Sequence, residues 1–388
     1  MGFADTIWSD PIDYLRAVGP NDPVMFLSPE ALQTQAHRFL DGFPGLVTYA
    51  VKSNPEEAVI TNLAAAGITG FDVASPEEIA LIRRLVPDAA LHYNNPVRAR
   101  HEIIFAVGRD VASYSVDSLS ELDKLFALVP VTRENGETVE ITARFKLPVA
   151  GATYDFGAKF GATEDLATEI LRRVAERGYV PSLTFHPGTQ CIDPMAWDAY
   201  IRAAGRIATA AGVSIARLNT GGGFPSHRVQ AMPPEIEAIF DRIDTVTAEV
   251  FGDDAPALIC EPGRALVADS FALLARIKGL RDDTHVFLND GVYGAFSELP
   301  LMGAMDRVTV WSPDGEQRRG PVQTRTVFGP TCDSVDRLPG ETPLPDDLEE
   351  GDFFLIQGMG AYSVATNTRF NGFGALAVQM VLDLNIVP

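Results

Sequence analysis

The feature that most constrains the fold is a regular alternation of short apolar segments with amphipathic ones. Segments with helical periodicity, such as Pro76–Leu85 and Thr163–Arg177, separate consecutive apolar segments. Eight such units over roughly 230 residues predict an α/β fold, a TIM-like (β/α)₈ barrel over residues 28–265. The eight predicted strands are Leu46–Lys52, Gly70–Val73, Ala90–Tyr93, Ala112–Val116, Val139–Phe145, Leu183–His186, Arg217–Asn219 and Leu258–Cys260.

A doubly wound open sheet is the alternative for the same alternation. The barrel is favoured because polar or glycine-rich residues follow nearly every predicted strand. Barrel enzymes assemble their sites at the carboxyl ends of the strands, where such residues would meet.

The pattern of apolar and polar residues changes after about Ala265. Short alternating segments appear, and turn signals such as Ser312-Pro313-Asp314-Gly315 separate them. Residues 266–388, joined by residues 1–27 with a strand at Val24–Leu27, are therefore predicted to form an antiparallel β domain. Its further strands are expected at Ser270–Ile277, His285–Leu288, Val308–Trp311, Gln323–Phe328 and Asp352–Ile356.

Lys52 ends the first predicted barrel strand, after the apolar run 46–51. A lysine in this place can simply extend its amine into solvent. It can also be a Schiff-base lysine at the mouth of the barrel, since burial lowers the pKa of an amine and makes it nucleophilic. The residues that follow later strands bear on this choice.

A glycine run, Gly221-Gly222-Gly223, follows the seventh predicted strand. Such a run is often only a tight turn, but here it lies where many barrels bind phosphate through backbone N–H groups. The eighth strand ends in Glu261-Pro262-Gly263-Arg264, which adds a carboxylate and a guanidinium. A strand-end lysine, a phosphate site and a carboxylate for a pyridine nitrogen together indicate pyridoxal 5'-phosphate.

Composition excludes several classes of partner. The formal net charge of −21 disfavours nucleic acid and anionic membranes, and no apolar run is long enough to span a membrane. The first fifteen residues lack the basic region of a signal peptide. Three cysteines without metal-binding spacing indicate a reducing compartment, so we expect a cytoplasmic protein without a metal.

Several motifs along the chain resemble those of one enzyme family. The chain is similar, from about Tyr49 to Phe373, to the ornithine/lysine/arginine/diaminopimelate decarboxylases of the alanine-racemase-like fold (PLP fold type III), and most similar to the ornithine branch. The matching motifs are Tyr49-Ala50-Val51-Lys52, Gly70-Phe71-Asp72-Val73-Ala74-Ser75, Lys159-Phe160-Gly161-Ala162-Thr163, Gly221-Gly222-Gly223-Phe224-Pro225, Glu261-Pro262-Gly263-Arg264, Asp290-Gly291-Val292-Tyr293-Gly294, Gly329-Pro330-Thr331-Cys332-Asp333-Ser334-Val335-Asp336 and Gly360-Ala361-Tyr362.

The resemblance implies a role for each site residue. Lys52 would carry pyridoxal phosphate as a Schiff base, His186 would stack on its ring and Glu261 would pair with its pyridine nitrogen. Taken alone, His186 would more often be a buried structural histidine. Thr189 stands where the family usually has serine, and either hydroxyl can bind phosphate. The remaining residues implied in cofactor binding are Asp72, Arg144, Gly221, Gly222, Gly223, Arg264 and Tyr362.

The resemblance also implies a homodimer with shared active sites. Cys332 and Asp333 would reach into the partner's barrel, where Cys332 would help to protonate the product and Asp333, with Tyr293 and Phe370, would bind the substrate. Taken alone, Cys332 would be a small buried apolar residue. Lys159 would pair with Asp336 of the other chain.

The implied activity is decarboxylation of a basic L-amino acid, with ornithine converted to putrescine in polyamine synthesis. Lysine or another diamino acid is an alternative, because Met302 stands where ornithine enzymes usually have a second acid. The nearest acids to that position are Glu298 and Asp306.

Particular residues argue against three other functions. Amino-acid racemases of this fold pair the pyridine nitrogen with arginine, whereas Glu261 stands here. Diaminopimelate decarboxylases have glutamate after the cysteine, whereas this chain has Asp333. A non-catalytic binding relative would not need Lys52, Arg264 and Cys332 together with Glu261.

Overall fold

The computed structural model describes residues 7–148, 159–228, 233–303 and 306–384. The chain divides into two compact units. One unit comprises Ala36–Pro225 and Pro234–Gly263, and the other comprises Met1–Gln35, Ser226–Pro233 and Arg264–Pro388. The borders expected from the sequence, at residues 28 and 265, concern independently folding domains and stay a prediction.

The first unit contains the closed parallel barrel that the sequence predicts. Each strand pairs in parallel with the next, and pairing of Leu46 with Ile259 and of Val47 with Cys260 closes the ring. The strands are almost wholly buried, as expected for parallel strands covered on both faces. They are β2 Leu46–Ala50, β3 Gly70–Val73, β4 Ala90–Tyr93, β5 Ser113–Val116, β6 Glu140–Arg144, β7 Val180–Thr184, β8 Arg217–Asn219 and β9 Ala257–Cys260.

One helix precedes the first barrel strand and one follows each of the first seven barrel strands, and several begin at caps that are recognisable in the sequence. The Ser75 hydroxyl accepts the Glu78 N–H, and Pro76 occupies the first helical position, where it loses no hydrogen bond. The helices are α2 Pro29–Gly42, α3 Glu57–Ala65, α4 Pro76–Leu85, α5 Arg100–Val107, α6 Leu119–Leu128, α7 Glu164–Glu176, α8 Pro194–Ala211 and α9 Ile236–Phe251.

Two predicted barrel strands differ from the observed ones by two or more residues, and three others differ by single residues. Lys52 is not in β2, which ends at Ala50; it lies in a single 3₁₀ turn, Val51–Ser53. β7 begins at Val180 rather than Leu183, because Pro181 is accommodated within the strand.

The second unit is built on an eight-stranded sheet. The strands are β1 Val24–Leu27, β10 Phe271–Arg281, β11 His285–Leu288, β12 Val308–Trp311, β13 Val322–Phe328, β14 Thr342–Pro345, β15 Phe353–Gln357 and β16 Ala377–Met380. Neighbouring strands follow the order β12-β15-β10-β11-β13-β14. β1 pairs antiparallel with β10, which brings the N-terminal strand into the sheet as expected. The unit also has helices α1 Pro11–Val18, α10 Arg264–Val267 and α11 Leu299–Met302.

The sheet is mixed rather than wholly antiparallel. β1 pairs in parallel with β16, and β11 pairs in parallel with β13. Neither pair is joined by a hairpin, so no tight turn forces the strands to run in opposite directions. Across the described parts of the chain, no helix combines the length and the apolar character that crossing a membrane requires.

Candidate active site

The turn that carries Lys52 is fixed by two buried hydroxyl groups. The Tyr49 hydroxyl donates to the Asn54 carbonyl at 2.8 Å, and the Ser53 hydroxyl donates to the Ala50 carbonyl at 2.8 Å. Val51 and Ser53 are buried, whereas half of the Lys52 side chain is exposed. The turn therefore holds the lysine in place and leaves its amine accessible.

Four charged side chains meet at the carboxyl ends of the barrel strands. We call Lys52, Asp72, Arg144 and Glu261 the mouth cluster. Lys52 Nζ lies 3.6 Å from Asp72 Oδ2, and Asp72 is only 3% exposed. Arg144 lies close enough to interact electrostatically with both Asp72 and Glu261. Two cations and two anions therefore lie close together, with Asp72 buried among them and Lys52 open to solvent.

Burial is the main influence on the pKa values in the mouth cluster. It raises the pKa of Asp72, and the positive charges of Lys52 and Arg144 only partly oppose it. Burial and the neighbouring Asp72 raise the pKa of Glu261 to about 8. Burial lowers the pKa of Arg144, against the pull of Glu261 and Asp72. The free protein thus holds Glu261 ready to take up or release a proton near neutral pH.

His186 lies beside the mouth cluster, two residues beyond β7. Its Nδ1 accepts the Gly188 N–H at 3.1 Å, which fixes the ring orientation. Burial, followed by the charges of Arg144 and Lys52, lowers the pKa of His186 well below its ordinary value, so the ring is neutral. Thr189 is buried in the same loop.

The glycine run after β8 is a close-packed turn that no other residue would fit. Gly221 and Gly223 have φ angles of +71° and +85°, in the left-handed region that favours glycine. A Cβ on Gly221 would lie 2.2 Å from the Phe185 carbonyl oxygen. A Cβ on Gly222 would lie 3.3 Å from His186 Nε2. The chain therefore brings the glycine run against the histidine.

Arg264 and Tyr362 meet within the second unit. The guanidinium lies over the Tyr362 ring, 5.0 Å from its centroid, and donates to Glu298 at 2.6 Å. The side chain is 8% exposed, and its Nε has no hydrogen-bond partner among the described residues. Glu298, considered from the sequence as a second acid for substrate, is thus already engaged by an arginine.

The loop of residues 329–336, which we call the 329–336 loop, carries the other predicted residues. The Tyr293 hydroxyl donates to Asp333 Oδ2 at 2.5 Å and lowers the pKa of that carboxyl. Phe370 packs on Tyr293 with ring centroids 4.6 Å apart. Cys332 is exposed, so it is not the buried apolar residue that its type alone would indicate, and its Sγ lies 3.3 Å from Asn371 Oδ1. The structure thus brings Cys332, Asp333, Tyr293 and Phe370 into one group.

Asp336, expected from the sequence to pair with Lys159 of a partner, is engaged inside its own chain. It is 1% exposed and accepts the Val292 N–H at 2.9 Å and the Thr331 hydroxyl at 2.7 Å. Added Cβ atoms on Gly291 and Gly329 would collide with this carboxylate. The carboxylate is therefore held inside its own chain, where it anchors the 329–336 loop, and the pairing with Lys159 of a partner stays a prediction.

Comparison with known families identifies the barrel. Residues 30–268 match the family model of the pyridoxal-binding domain of pyridoxal-dependent decarboxylases. The chain belongs to the pyridoxal-dependent decarboxylase family. It is an amino-acid decarboxylase with pyridoxal 5'-phosphate as its cofactor, as its motifs led us to expect.

Individual relatives agree with this assignment. The decarboxylase is 31% identical over 363 residues to ornithine decarboxylase of Mus musculus, which covers 87% of this chain and 75% of the relative. It is 29% identical over 335 residues to lysine/ornithine decarboxylase of Selenomonas ruminantium, over 84% and 81% of the two chains. The crystal structure of the Paramecium bursaria Chlorella virus arginine decarboxylase bound to agmatine has the same fold, with a TM-score of 0.84, 24% identity and coverage of 95% and 98%.

The residues of the barrel unit fit this cofactor. Among the residues that the structure describes, the N–H groups of Gly222 and Gly223 have no protein acceptor, as a phosphate-binding turn requires. The accessible amine of Lys52 and the carboxylate of Glu261 supply the groups that an aldehyde and a pyridine nitrogen need. The orphaned Nε of Arg264 in the second unit likewise suits an anion.

Sequence reasoning missed two asparagines that contact Glu261. Asn94 Nδ2 and Asn219 Nδ2 both donate to Glu261 Oε1. Each follows or ends a barrel strand, so its position at the carboxyl end of a strand was the available signal. Nothing in the sequence indicates that both amides converge on one carboxylate oxygen.

Proposed function

We propose that the protein decarboxylates ornithine to putrescine at active sites shared by two copies of the chain. The choice of ornithine as substrate rests on the surroundings of Asp333. Its carboxyl has a lowered pKa and is held by the Tyr293 hydroxyl, and the residue follows Cys332 in the chain. An ionised acid in this loop suits a substrate with a distal ammonium group, because such a cation needs an acidic partner when it leaves water.

The residues would divide the work of holding the cofactor. Lys52 would bond its aldehyde carbon, the N–H groups of Gly222 and Gly223 in the glycine run would bind its phosphate, and Glu261 would pair with its pyridine nitrogen. His186, neutral and oriented by Gly188, would cover the ring. The proposed supporting residues are Asp72, Arg144, Thr189, Arg264 and Tyr362.

Pyridoxal phosphate, when bound, supplies an electron sink for the bond to the departing carboxylate. Lys52 would hold the cofactor, and Asp72, with its Oδ2 3.6 Å from Lys52 Nζ, would stabilise the positive charge of the lysine amine whenever that amine is free. Carbon dioxide then leaves from Cα, and one proton replaces it there. The Cys332 thiol, or the amine of Lys52, would deliver that proton.

The proposal of a shared site draws on the exposure of the 329–336 loop. Cys332 is exposed, and Val335 beside it is 63% exposed. Such residues suit a surface that a second chain covers. A two-fold homodimer would place each loop at the partner's barrel, with both surfaces used twice.

Lysine is the second candidate substrate. Met302 is buried and apolar, and Glu298 is engaged by Arg264, so neither supplies a second acid that would fix the length of a diamino acid. The similar enzyme of Selenomonas ruminantium bears the name lysine/ornithine decarboxylase.

Release of carbon dioxide from individual amino acids tests the choice of substrate. Ornithine, lysine, arginine and diaminopimelate would be compared by kcat/KM with the enzyme loaded with pyridoxal phosphate. Ornithine should give the largest value and lysine the next. A larger value for arginine or diaminopimelate would overturn the substrate while leaving the reaction type intact.

Borohydride reduction tests the role of Lys52. Reduction of the loaded enzyme should fix a pyridoxyl group to Lys52, which peptide mapping by mass spectrometry would locate. A label on any other lysine would contradict the proposal.

A further inference from the structure

Two asparagines hold the Glu261 carboxylate from different strands. Asn94 follows β4 and Asn219 ends β8, and the side-chain amide of each donates to Glu261 Oε1. Asn94 and Asn219 are both buried, at 9% and 6% exposed, so each amide group must find its partners inside the protein.

Both amides are held in one orientation. The Ser115 hydroxyl donates to Asn94 Oδ1 at 2.6 Å, and the Gly221 N–H donates to Asn219 Oδ1 at 2.9 Å. A side-chain amide whose oxygen is already bonded cannot rotate by half a turn without losing that bond. The nitrogen of each asparagine is therefore directed at Glu261.

The donors are neutral, which matters in the mouth cluster. They stabilise a carboxylate without adding charge to a set of two cations and two anions. The hydrogen bond from Asn219 lowers the pKa of Glu261, against burial and Asp72, and a bond from Asn94 lowers the pKa of Asp72. Through Asn219 the same contacts join Glu261 to the first residue of the glycine run.

We propose that Asn94 and Asn219 are positioning residues that orient Glu261 toward the pyridine nitrogen of the cofactor and stabilise its ionised form. Ser115 fixes the orientation of Asn94 and is therefore part of the same group of positioning residues. This inference rests on the role of Glu261 proposed above, and it adds residues that act on the cofactor through that carboxylate.

Two variants of Asn94 distinguish a hydrogen-bond donor from a residue that only fills space. Asn94→Asp keeps the shape of the side chain but replaces the donor with an acceptor that repels Glu261. Asn94→Ala removes the donor and leaves a small cavity. If Asn94 only fills space, aspartate is tolerated better than alanine; if it donates to Glu261, aspartate is worse.

The titration of Glu261 gives a readout that does not depend on catalysis. Full-length protein with ¹³C-labelled glutamate carboxyl groups would be titrated without cofactor, with Glu261→Gln identifying the signal. Asn94→Ala should raise the pKa of Glu261 by about one pH unit, since a bond to the charged form is lost. Asn94→Asp should raise it further, and Ser115→Ala should raise it less.

The dissociation constant of pyridoxal phosphate gives the second readout. It should increase about tenfold in Asn94→Ala, the usual scale for a lost hydrogen bond to a charged group. Ser113→Ala is the matched control, because Ser113 is an equally buried serine on β5 whose hydroxyl bonds His92 Nδ1 at 2.7 Å. That variant should change neither the titration nor the affinity.

Each outcome decides between the two claims. A Glu261 titration that is unchanged in Asn94→Ala and Ser115→Ala overturns the inference, as does a higher cofactor affinity in Asn94→Asp than in Asn94→Ala. If the titration moves but the affinity for cofactor does not, the asparagines do act on Glu261 and the proposed role of Glu261 is wrong. If both move in the order given, the inference stands.

Discussion

The mouth cluster and the 329–336 loop carry the two halves of the predicted chemistry, and they are built in opposite ways. In the mouth cluster, cations and anions lie at strand ends and have partners within their own barrel. In the 329–336 loop, Cys332 is exposed and Asp333 has Tyr293 as its side-chain partner. The proposed cofactor side is thus preorganised within one chain, whereas the proposed substrate side presents its groups outward.

The difference follows from the elements that carry the residues. Parallel strands of a closed barrel fix the side chains at their ends, so charges can be buried against each other there. A loop can present a thiol and a carboxylate to solvent at little cost, because neither is desolvated until another surface covers it. This comparison predicts large effects at the mouth cluster and smaller, substrate-dependent effects at the 329–336 loop.

The largest effect is expected from Lys52. Lys52→Ala should lower the rate of carbon dioxide release on the order of 10³-fold, since it removes a group that both bonds the cofactor and moves a proton. Lys52→Arg is the matched control for charge, because it keeps a cation near Asp72. It should be equally inactive. Substantial activity in Lys52→Arg would mean that the lysine serves only to balance charge.

Glu261 should make the cofactor-free protein less stable as pH rises. A carboxyl whose pKa is higher in the folded protein than its ordinary value of 4.5 takes up a proton on folding. Its contribution is therefore lost as pH rises from about 4.5 through about 8. Between those limits the wild type should lose roughly 4 kcal/mol more unfolding free energy than Glu261→Gln, as measured by urea denaturation.

Glu78 is a second source of the same pH dependence. Burial raises its pKa to about 7, so it also loses stabilisation as pH rises. It should contribute to a residual slope in Glu261→Gln up to about pH 7, together with the other buried carboxyls such as Asp72. Equal slopes in wild type and Glu261→Gln would show that Glu261 is already ionised in the folded protein, against the description of the mouth cluster.

Asp333 should affect some substrates and not others. Asp333→Ala should lower kcat/KM for ornithine by about tenfold or more, because the distal ammonium loses its acidic partner. Decarboxylation of amino acids without a distal amine should change much less. Asp314→Ala, in the turn between β12 and β13, is the control. An equal loss for both kinds of substrate would assign Asp333 to dimer assembly instead.

The smallest effect is expected from Tyr293. Its hydroxyl lowers the pKa of Asp333, so Tyr293→Phe should raise that pKa. The acidic limb of the pH profile for ornithine should then move to higher pH by less than about one unit, the range of an exposed hydrogen-bonded acid. A shift to lower pH would contradict the assigned donor.

The fold was predictable because its strongest signals are local. Parallel barrel strands are continuous apolar runs, so β3, β4 and β8 begin and end where the sequence predicts. Capping pairs such as Ser75-Pro76 mark helix starts equally well. The parallel pairing of β1 with β16 was not predictable, because it joins segments from opposite ends of the chain.

The residues of the candidate site also differ in whether a local sequence pattern reveals them. Lys52 and the glycine run are recognisable from a few consecutive residues. The convergence of Asn94 and Asn219 on Glu261 depends on closure of the barrel and leaves no local pattern. The burial of Asp336 likewise depends on Gly291 and Gly329 approaching it, which the motif alone does not reveal.

Subunit complementation tests the central claim, that a self-contained barrel mouth is completed by the 329–336 loop of another chain. Lys52→Ala and Cys332→Ala proteins, each of low activity alone, would be mixed in equal amounts and allowed to exchange subunits. Half of the resulting dimers would be mixed, and each mixed dimer would have one intact site. The account predicts recovery of roughly a quarter of wild-type activity. No recovery, with exchange demonstrated by differently tagged chains, would contradict it.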